Sequence, residues 1–544
     1  MGIYLNPGNR SFQMSLNSKI YVDKSNLIAY TNSVINTEQR FVCVSRPRRF
    51  GKSVTAAMLS AYYGQSADSA LFEHLAVATN DSYKEHLNQY NVIFLNIQQF
   101  LSRTHDITAM QSLISDYLLR ELTHTYTDIN FFNDSDLTGC LLDIFAETNI
   151  PFVFIIDEWD CIFREYKNDT HSQRLYLDFI RNLLKDQPYV ALAYMTGILP
   201  IKKYGTHSAL NMFDEFSMTN PGPLASFVGF TDQEVKKLCN DHQMDYEEMR
   251  RMYDGYCFEG TTHVYSPRSV VSAILTHSYD NFWNKTETFA ALRDYIILNF
   301  KGLRDIVTEL LAGARKKINT TTFTNDMTTF SSADDVLTLL IHLGYLGYDF
   351  KTKEVFIPNS EIFSEFCNAV ESAGWDNITD AVKKSEALLT ATVNGDSATV
   401  AAGLEAAHME TSILAYNDEN ALSCTIALAY YSAREYYSSF RELPTGKGFA
   451  DIVYIPRKTH PDKPALVIEL KWDKTVEGAI RQIKDKCYVE SLKDYHGSLL
   501  LVGVNYDLKT KKHQCMIESL QYPAATASPV TTDKRSDREK IKGK

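Results

Sequence analysis

The sequence predicts an α/β protein: an N-terminal parallel sheet carrying a phosphate loop, a helical middle region, and a C-terminal domain of mixed α and β. Three observations carry this. Residues 1–230 alternate short, continuously apolar runs with stretches of helical period, the pattern of strands buried on both faces of a parallel sheet. The first such run leads through Phe50-Gly51-Lys52-Ser53 into a helical stretch. Far downstream, residues 450–471 hold two apolar strands, one carrying Asp451 and the other Glu469 and Lys471.

In order along the chain, strands are expected at 40–45, 92–96, 151–157 and 189–196, with helices between them such as 111–122 and 173–185. Residues 231–370 read mainly helical, with 232–239, 290–300 and 334–343 the clearer pieces. Residues 371–410 are rich in Ala, Ser, Thr and Asp and read as a helical connector containing the domain boundary. Residues 411–520 return to mixed α and β: a long helix at 420–434, the two acid-bearing strands, an amphipathic helix at 476–492 and a strand at 498–505. Residues 521–544 turn to Ala, Ser, Thr, Pro and mixed charge, the composition of a disordered tail. No internal repeat is visible.

The chain has 544 residues, enough for two to four domains. Its 44% apolar and 22% charged content is that of an ordinary globular protein. A net charge of -12 supplies no global field for nucleic acid, so any such site must be a local basic patch. The nine cysteines stand singly, with no CxxC pair, which argues against a zinc site or a disulfide framework and fits a reducing, cytoplasmic setting. The start of the chain lacks a basic segment followed by an apolar one, so no signal peptide is expected. No apolar run approaches the ~20 residues of a membrane-spanning helix.

Strand, loop, Gly-Lys-Ser, helix is the order that phosphate binding requires, because amides at a helix N-terminus can hold phosphate oxygens. Lys52 is expected to reach the β- and γ-phosphates of ATP and the Ser53 hydroxyl to ligate Mg²⁺, with Gly51 shaping the turn. Arg46 stands where the first glycine of the usual loop would be. The apolar run 152–156 ends in Asp157 and Glu158, the first suited to hold Mg²⁺ and the second to act as general base toward the attacking water. A further strand ends at Thr196, whose hydroxyl could sense the γ-phosphate; a strand-end turn explains it as well. Arg46, Arg48 and Arg49 point to phosphate contact or to a neighbouring copy in a homo-oligomer, and a solvated basic turn stiffened by Pro47 is the plainer alternative.

In a strand, residues two apart share a face, so Glu469 and Lys471 project together and Asp451 can join them if the strands pair. Two carboxylates suit a hard divalent cation, and a neighbouring lysine can orient or activate water. Those groups fit metal-dependent phosphodiester cleavage. Gln482 borders the apolar face of the next helix. Glu419 is a candidate further metal ligand, with Glu442 its rival.

Together these residues resemble an AAA-ATPase-like family fused to a C-terminal PD-(D/E)XK nuclease domain. The likeness rests on Tyr21-Val22-Asp23-Lys24-Ser25, on Arg46-Pro47-Arg48-Arg49-Phe50-Gly51-Lys52-Ser53, on Ile156-Asp157-Glu158-Trp159-Asp160, and on Gly446-Lys447-Gly448-Phe449-Ala450-Asp451 with Glu469-Leu470-Lys471. Tyr253-Asp254-Gly255-Tyr256 and Tyr265-Ser266-Pro267 are weaker likenesses. The family usually has Thr at the position of Ser25 and Tyr at that of Trp159, and its phosphate loop tends to begin Arg-Pro-Arg-Arg-Phe, as this one does. The resemblance spans roughly residues 10–520. It implies nucleotide and Mg²⁺ roles for Lys52, Ser53, Asp157 and Glu158. It implies nuclease roles for Asp451, Glu469, Lys471 and Gln482, in a core of αβββαβ order.

The expectation is an ATP-binding, ATP-hydrolysing protein whose Mg²⁺-dependent C-terminal domain cuts nucleic acid, DNA in the first instance. The alternatives are a nucleotide-switched interaction protein with a non-catalytic nuclease-like scaffold, and an ATPase with an inert nuclease domain.

Overall fold

The computed structural model describes residues 2–65, 68–201, 210–258, 262–283, 302–325, 327–328, 330–372, 376–410, 419–445, 448–457, 460–485 and 497–521. The chain divides into two compact units, Met1–Gly374 and Trp375–Lys544. The expected helix at 290–300, the tail from 522 and the 486–492 end of the amphipathic helix lie outside the described residues.

Unit 1 is built on five parallel strands: β1 (Phe41–Ser45), β2 (Asn91–Asn96), β3 (Phe152–Asp157), β4 (Val190–Gly197) and β5 (Asp214–Phe216). Their order is β2-β3-β4-β1-β5. Every residue of β1, β3 and β4 is buried, which is why these strands read as unbroken apolar runs. The fifth strand was not anticipated: three residues, Asp-Glu-Phe, at a sheet edge carry no apolar run to detect. Helices Ile107–Thr125 and Thr170–Leu184 begin earlier than the expected 111–122 and 173–185, each started by an aspartate, Asp106 or Asp169, whose side chain accepts from a first-turn amide.

Residues 231–370 belong to the same unit and, among the described residues, are mainly helical as expected. Two small antiparallel sheets lie among the helices. One pairs β6 (Phe230–Thr231), β8 (Thr262–Tyr265) and β7 (Tyr256–Phe258), and the other pairs β10 (Gly347–Asp349), β11 (Glu354–Phe356) and β9 (Lys316–Lys317). Strands of two to four residues are too short for alternation to register.

Unit 2 carries a sheet ordered β12 (Tyr437–Thr445), β13 (Gly448–Pro456), β14 (Ala465–Trp472), β15 (Ser498–Asp507) and β16 (Lys512–Gln521). Only β14 and β15 pair in parallel. Helix Glu419–Ala429, three strands, helix Val476–Asp485 and β15 follow the order αβββαβ, with β16 added. The expected helix at 420–434 stops at Ala429 and resumes as Ala433–Tyr436. Residues 371–410 do more than connect. Helices Asp376–Val393 and Ser397–Glu410 put Leu388, Leu389, Val400 and Leu404 against Ile452, Tyr454, Leu466, Ile468, Val502 and Val504 on one face of the sheet. Alternate residues Val453, Ala465, Val467, Leu499 and Leu501 face the other way, onto Ile480 and Ile483.

A buried carboxylate ties unit 1 together. Glu361, on helix Ser360–Ser372, accepts from the Phe282 amide at 2.8 Å and the Ser269 hydroxyl at 2.9 Å. Arg49 donates to the Phe282 carbonyl at 2.7 Å. Burial pushes the Glu361 carboxyl up to about 7 from an ordinary 4.5, against those hydrogen bonds. Between these values the folded state holds a proton that the unfolded state has lost, so unit 1 loses stability as pH rises from about 4.5 to about 7. Glu361→Gln removes this contribution. The urea midpoint of the wild type, measured relative to that of the variant, is expected to fall across this window; a constant difference contradicts it.

Candidate functional site

Parallel register lines up the carboxyl ends of the central strands. Asn96 stands beside Asp157, Asp157 beside Thr196, and Thr196 beside Val44, the penultimate residue of β1. β4 therefore lies between the strand feeding the phosphate loop and the strand carrying the acids. The loop after β1 turns at Gly51, whose φ of 91° is left-handed, and helix Lys52–Tyr63 begins directly afterwards. Open space around Gly51 leaves room for a ligand to approach the backbone. First-turn amides of such a helix have no carbonyl a turn earlier to bond.

A cavity of about 820 Å³ opens at this edge, lined by Gly51, Lys52, Ser53, Asn96, Glu158 and Arg164, with Arg48, Arg49 and Arg268 adding positive charge. Ile20, Tyr21, Val22, Phe227, Phe230 and Val271 form an apolar part of the wall. Lys52 is buried and donates to the carbonyls of Arg46 and Pro47, each at 3.0 Å. Burial lowers its pKa, opposed by the nearby carboxylates of Glu158, Asp160 and Asp157. Burial raises that of Asp157, opposed by a hydrogen bond from the Ser53 hydroxyl and by the Lys52 charge. Asn96 Nδ2 lies 3.5 Å from Asp157 Oδ2. Thr196 Oγ1 is buried without a hydrogen-bond partner among the described residues. A hydroxyl beside a carboxylate suits Mg²⁺, and a lysine over an open glycine turn suits phosphate, so the donor set fits a nucleotide with its metal.

Arg46 does not meet the expectation of phosphate contact. It lies fully buried outside the cavity wall, donating to the carbonyls of Ser45 and Phe216 at 2.9 and 3.0 Å. Its guanidinium sits 4.9 Å from the centre of the Phe258 ring, and burial brings its pKa down to about 10. Arg49 lines the cavity while holding Phe282.

Several family-like segments brace this edge. Lys24 donates to both carboxylate oxygens of Glu234 at 2.8 and 2.6 Å and to the Ser226 carbonyl, and Asp23 accepts from the Ala76 amide. Tyr256 stacks edge-on against Phe50 of the phosphate loop. Asp160 is fully buried and accepts from the Leu199 amide at 2.9 Å. Gly197 makes this possible, since a β carbon there would lie 2.5 Å from Asp160 Oδ1 and 2.7 Å from Trp159 Cδ1. Arg164 and Arg268 escaped sequence reasoning. Arg164 had a faint signal, a base six residues beyond Glu158 in a short helix, whereas Arg268 is brought in from the middle region with no local cue.

In unit 2, β13 and β14 pair antiparallel with Ile452 opposite Ile468. The pairing stops there, and by alternation with Val453 and Val467, Asp451 and Glu469 fall on the face covered by helix Val476–Asp485. Asp451 Oδ2 accepts from the Leu470 amide at 2.7 Å. Lys471 Nζ lies 2.9 Å from Glu469 Oε1, which also accepts from Gln482 Nε2. Glu469 and Lys471 are buried. The structure thus gathers Asp451, Glu469, Lys471 and Gln482, and two carboxylates on one face fit a divalent cation. The side chains of Glu419 and Glu442 lie outside the described residues. Among the described residues, no group of three or more His, Cys, Asp or Glu is arranged to hold a metal ion.

Residues 8–206 match the family model described as predicted AAA-ATPase, and residues 418–515 match that of the PD-(D/E)XK nuclease superfamily. The chain therefore combines an AAA-ATPase-like domain with a C-terminal domain of that superfamily. No curated protein matches it. Among solved structures it is similar to a Walker-type ATPase of Pyrococcus abyssi at 12% identity, covering 63% of this chain and 94% of that one, with a TM-score of 0.31. It is also similar to the ORC2 protein of Aeropyrum pernix at 13% identity, covering 67% and 98%, with a TM-score of 0.30. Likenesses this distant carry nothing about substrate. No helix among the described residues is long and apolar enough to cross a membrane.

Gly503, beside Glu469 on β15, lets the covering helix come close. A β carbon there would lie 2.8 Å from the Val476 carbonyl oxygen and 3.1 Å from Ala479 Cβ. Gly503→Val is expected to push the helix outward, separate Gln482 from Glu469 and destabilise unit 2 by about 1–3 kcal/mol. An unchanged urea midpoint contradicts that packing.

Proposed function

We propose that the chain binds and hydrolyses ATP at the unit 1 cavity and that unit 2 cleaves phosphodiester bonds, in DNA, with Mg²⁺. One observation carries the first part: Lys52, Ser53 and Glu158 line one cavity on the carboxyl edge of a parallel sheet, where Asp157 bonds the Ser53 hydroxyl and stands beside Thr196. Lys52 binds the β- and γ-phosphate oxygens, and the amides at the start of its helix hold the same groups. Ser53 and Asp157 hold Mg²⁺, which when bound offsets the charge developing on the phosphates. Glu158 takes a proton from the attacking water as its oxygen bonds to the γ-phosphorus and the bond to the β-phosphate oxygen breaks. Thr196 offers its hydroxyl to the γ-phosphate.

In unit 2, Asp451 and Glu469 hold the cation while Lys471 orients the water that attacks phosphorus; Gln482 fixes the Glu469 carboxylate. Nucleotide turnover in unit 1 regulates the cut. A second reading, in which unit 2 binds without cutting, draws support from the Glu469 carboxylate being engaged by Lys471 and Gln482.

Lys52→Ala is expected to weaken ATP binding at least tenfold by calorimetry. Glu158→Gln keeps binding and lowers phosphate release by about 10²-fold or more. Wild-type turnover in both variants contradicts the ATPase reading. For unit 2, wild-type protein with Mg²⁺ and ATP is expected to nick plasmid DNA, and Lys471→Ala to abolish nicking. A wild type that leaves plasmid intact under every nucleotide condition favours the binding scaffold.

A further inference from the structure

We propose that Arg164 is a positioning residue for ATP hydrolysis, holding Glu158 in place while Asp160 holds Arg164. This rests on the reading of Glu158 as general base. Glu158 takes a left-handed backbone, φ 52°, which is uncommon for a residue with a β carbon. The turn is kept there from both sides. Its own amide donates to Asp157 Oδ1 at 3.0 Å, the Trp159 amide donates to the Thr196 carbonyl at 3.2 Å, and Asp160 accepts from Leu199. These bonds fix the backbone of Glu158 but leave three side-chain torsions undetermined.

Arg164 fixes those torsions. It lies on the short helix Cys161–Glu165 that follows the turn, and its guanidinium folds back so that Nη2 pairs with Glu158 Oε2. Its Nε lies 3.2 Å from Asp160 Oδ2. The Arg164 side chain is 10% exposed and that of Asp160 0%, so neither end of the bridge swings freely in water. Burial opposes the charge on Arg164, but Asp160 and Glu158 outweigh it and keep the group protonated. The planar guanidinium is suited to span two carboxylates from different nitrogens, which an ammonium cannot do with the same geometry. The bridge engages Oε2 of Glu158 and aims the carboxylate toward the cavity that both residues line with Lys52 and Ser53. A base displaced by about 1 Å loses on the order of 10²-fold in rate, so orientation alone is enough to matter.

The test measures kcat for ATP and the affinity for a non-hydrolysable ATP analogue with Mg²⁺ in the full chain. Arg164→Ala is expected to lower kcat at least tenfold while affinity changes less than threefold, and Arg164→Lys to restore part of the loss. Because alanine removes every side-chain donor beside the buried Asp160, Arg164→Gln, shorter and uncharged but still carrying N–H donors, serves as a second variant, with a thermal melt recorded for each. A folded Ala or Gln variant with wild-type or faster kcat overturns the proposal alone. So does an affinity that falls in step with kcat, since Arg164 then contacts the nucleotide rather than the base. A wild type that binds ATP without turning it over overturns the hydrolytic reading and this proposal together.

Discussion

Everything at the unit 1 site depends on one strand-pairing constraint: β4 is inserted between β1 and β3. Neighbouring strands stand about 4.8 Å apart, so the loop after β1 and the acids after β3 are held roughly 10 Å apart across the sheet. Lys52 and Ser53 reach across that distance from one side toward Asp157 and Glu158 on the other, and the Ser53 hydroxyl bonds Asp157 directly. The intervening strand contributes Thr196 from below. Its register sets Thr196 between Val44 of β1 and Asp157 of β3.

The same edge concentrates charges that burial disfavours. Arg46, Lys52, Asp157 and Asp160 are all buried, and each has a specific partner. Arg46 has backbone carbonyls and an aromatic face; Asp160 has a backbone amide and Arg164. Removing one partner of such a set costs more than the set contributes as a whole, because the other charge stays behind without water. The polar groups here are therefore interdependent, and the middle region takes part through Lys24–Glu234 and Arg49–Phe282–Glu361.

Unit 2 works by alternation. Residues 452, 454, 466, 468, 502 and 504 face one layer of helices, while 453, 465, 467, 499 and 501 face helix Val476–Asp485. Asp451, Glu469 and Lys471 fall on the second set by parity alone, where the apolar cover gives way to polar groups at the strand ends. Gly503 and the helix above it bring Gln482 within reach of Glu469.

Much of this was legible in the sequence. Buried parallel strands show as apolar runs, and Gly51-Lys52-Ser53 and Asp157-Glu158 sit at strand ends where any parallel sheet would present them. The pairing of Glu469 with Lys471 followed from the two-residue period of a strand. What escaped was nonlocal or too short to have a period: the edge strand Asp214–Phe216, the small sheets of the middle region, and the packing of the 376–410 helices onto the second sheet. Arg46 and Arg164 mark the division. Sequence determines that arginines stand near both phosphate-site motifs, because composition and spacing are local. Only the tertiary structure decides that Arg46 turns inward to Phe216 and Phe258 while Arg164 turns toward Glu158. A long side chain goes where its charge finds partners, and those partners come from segments that only folding brings together.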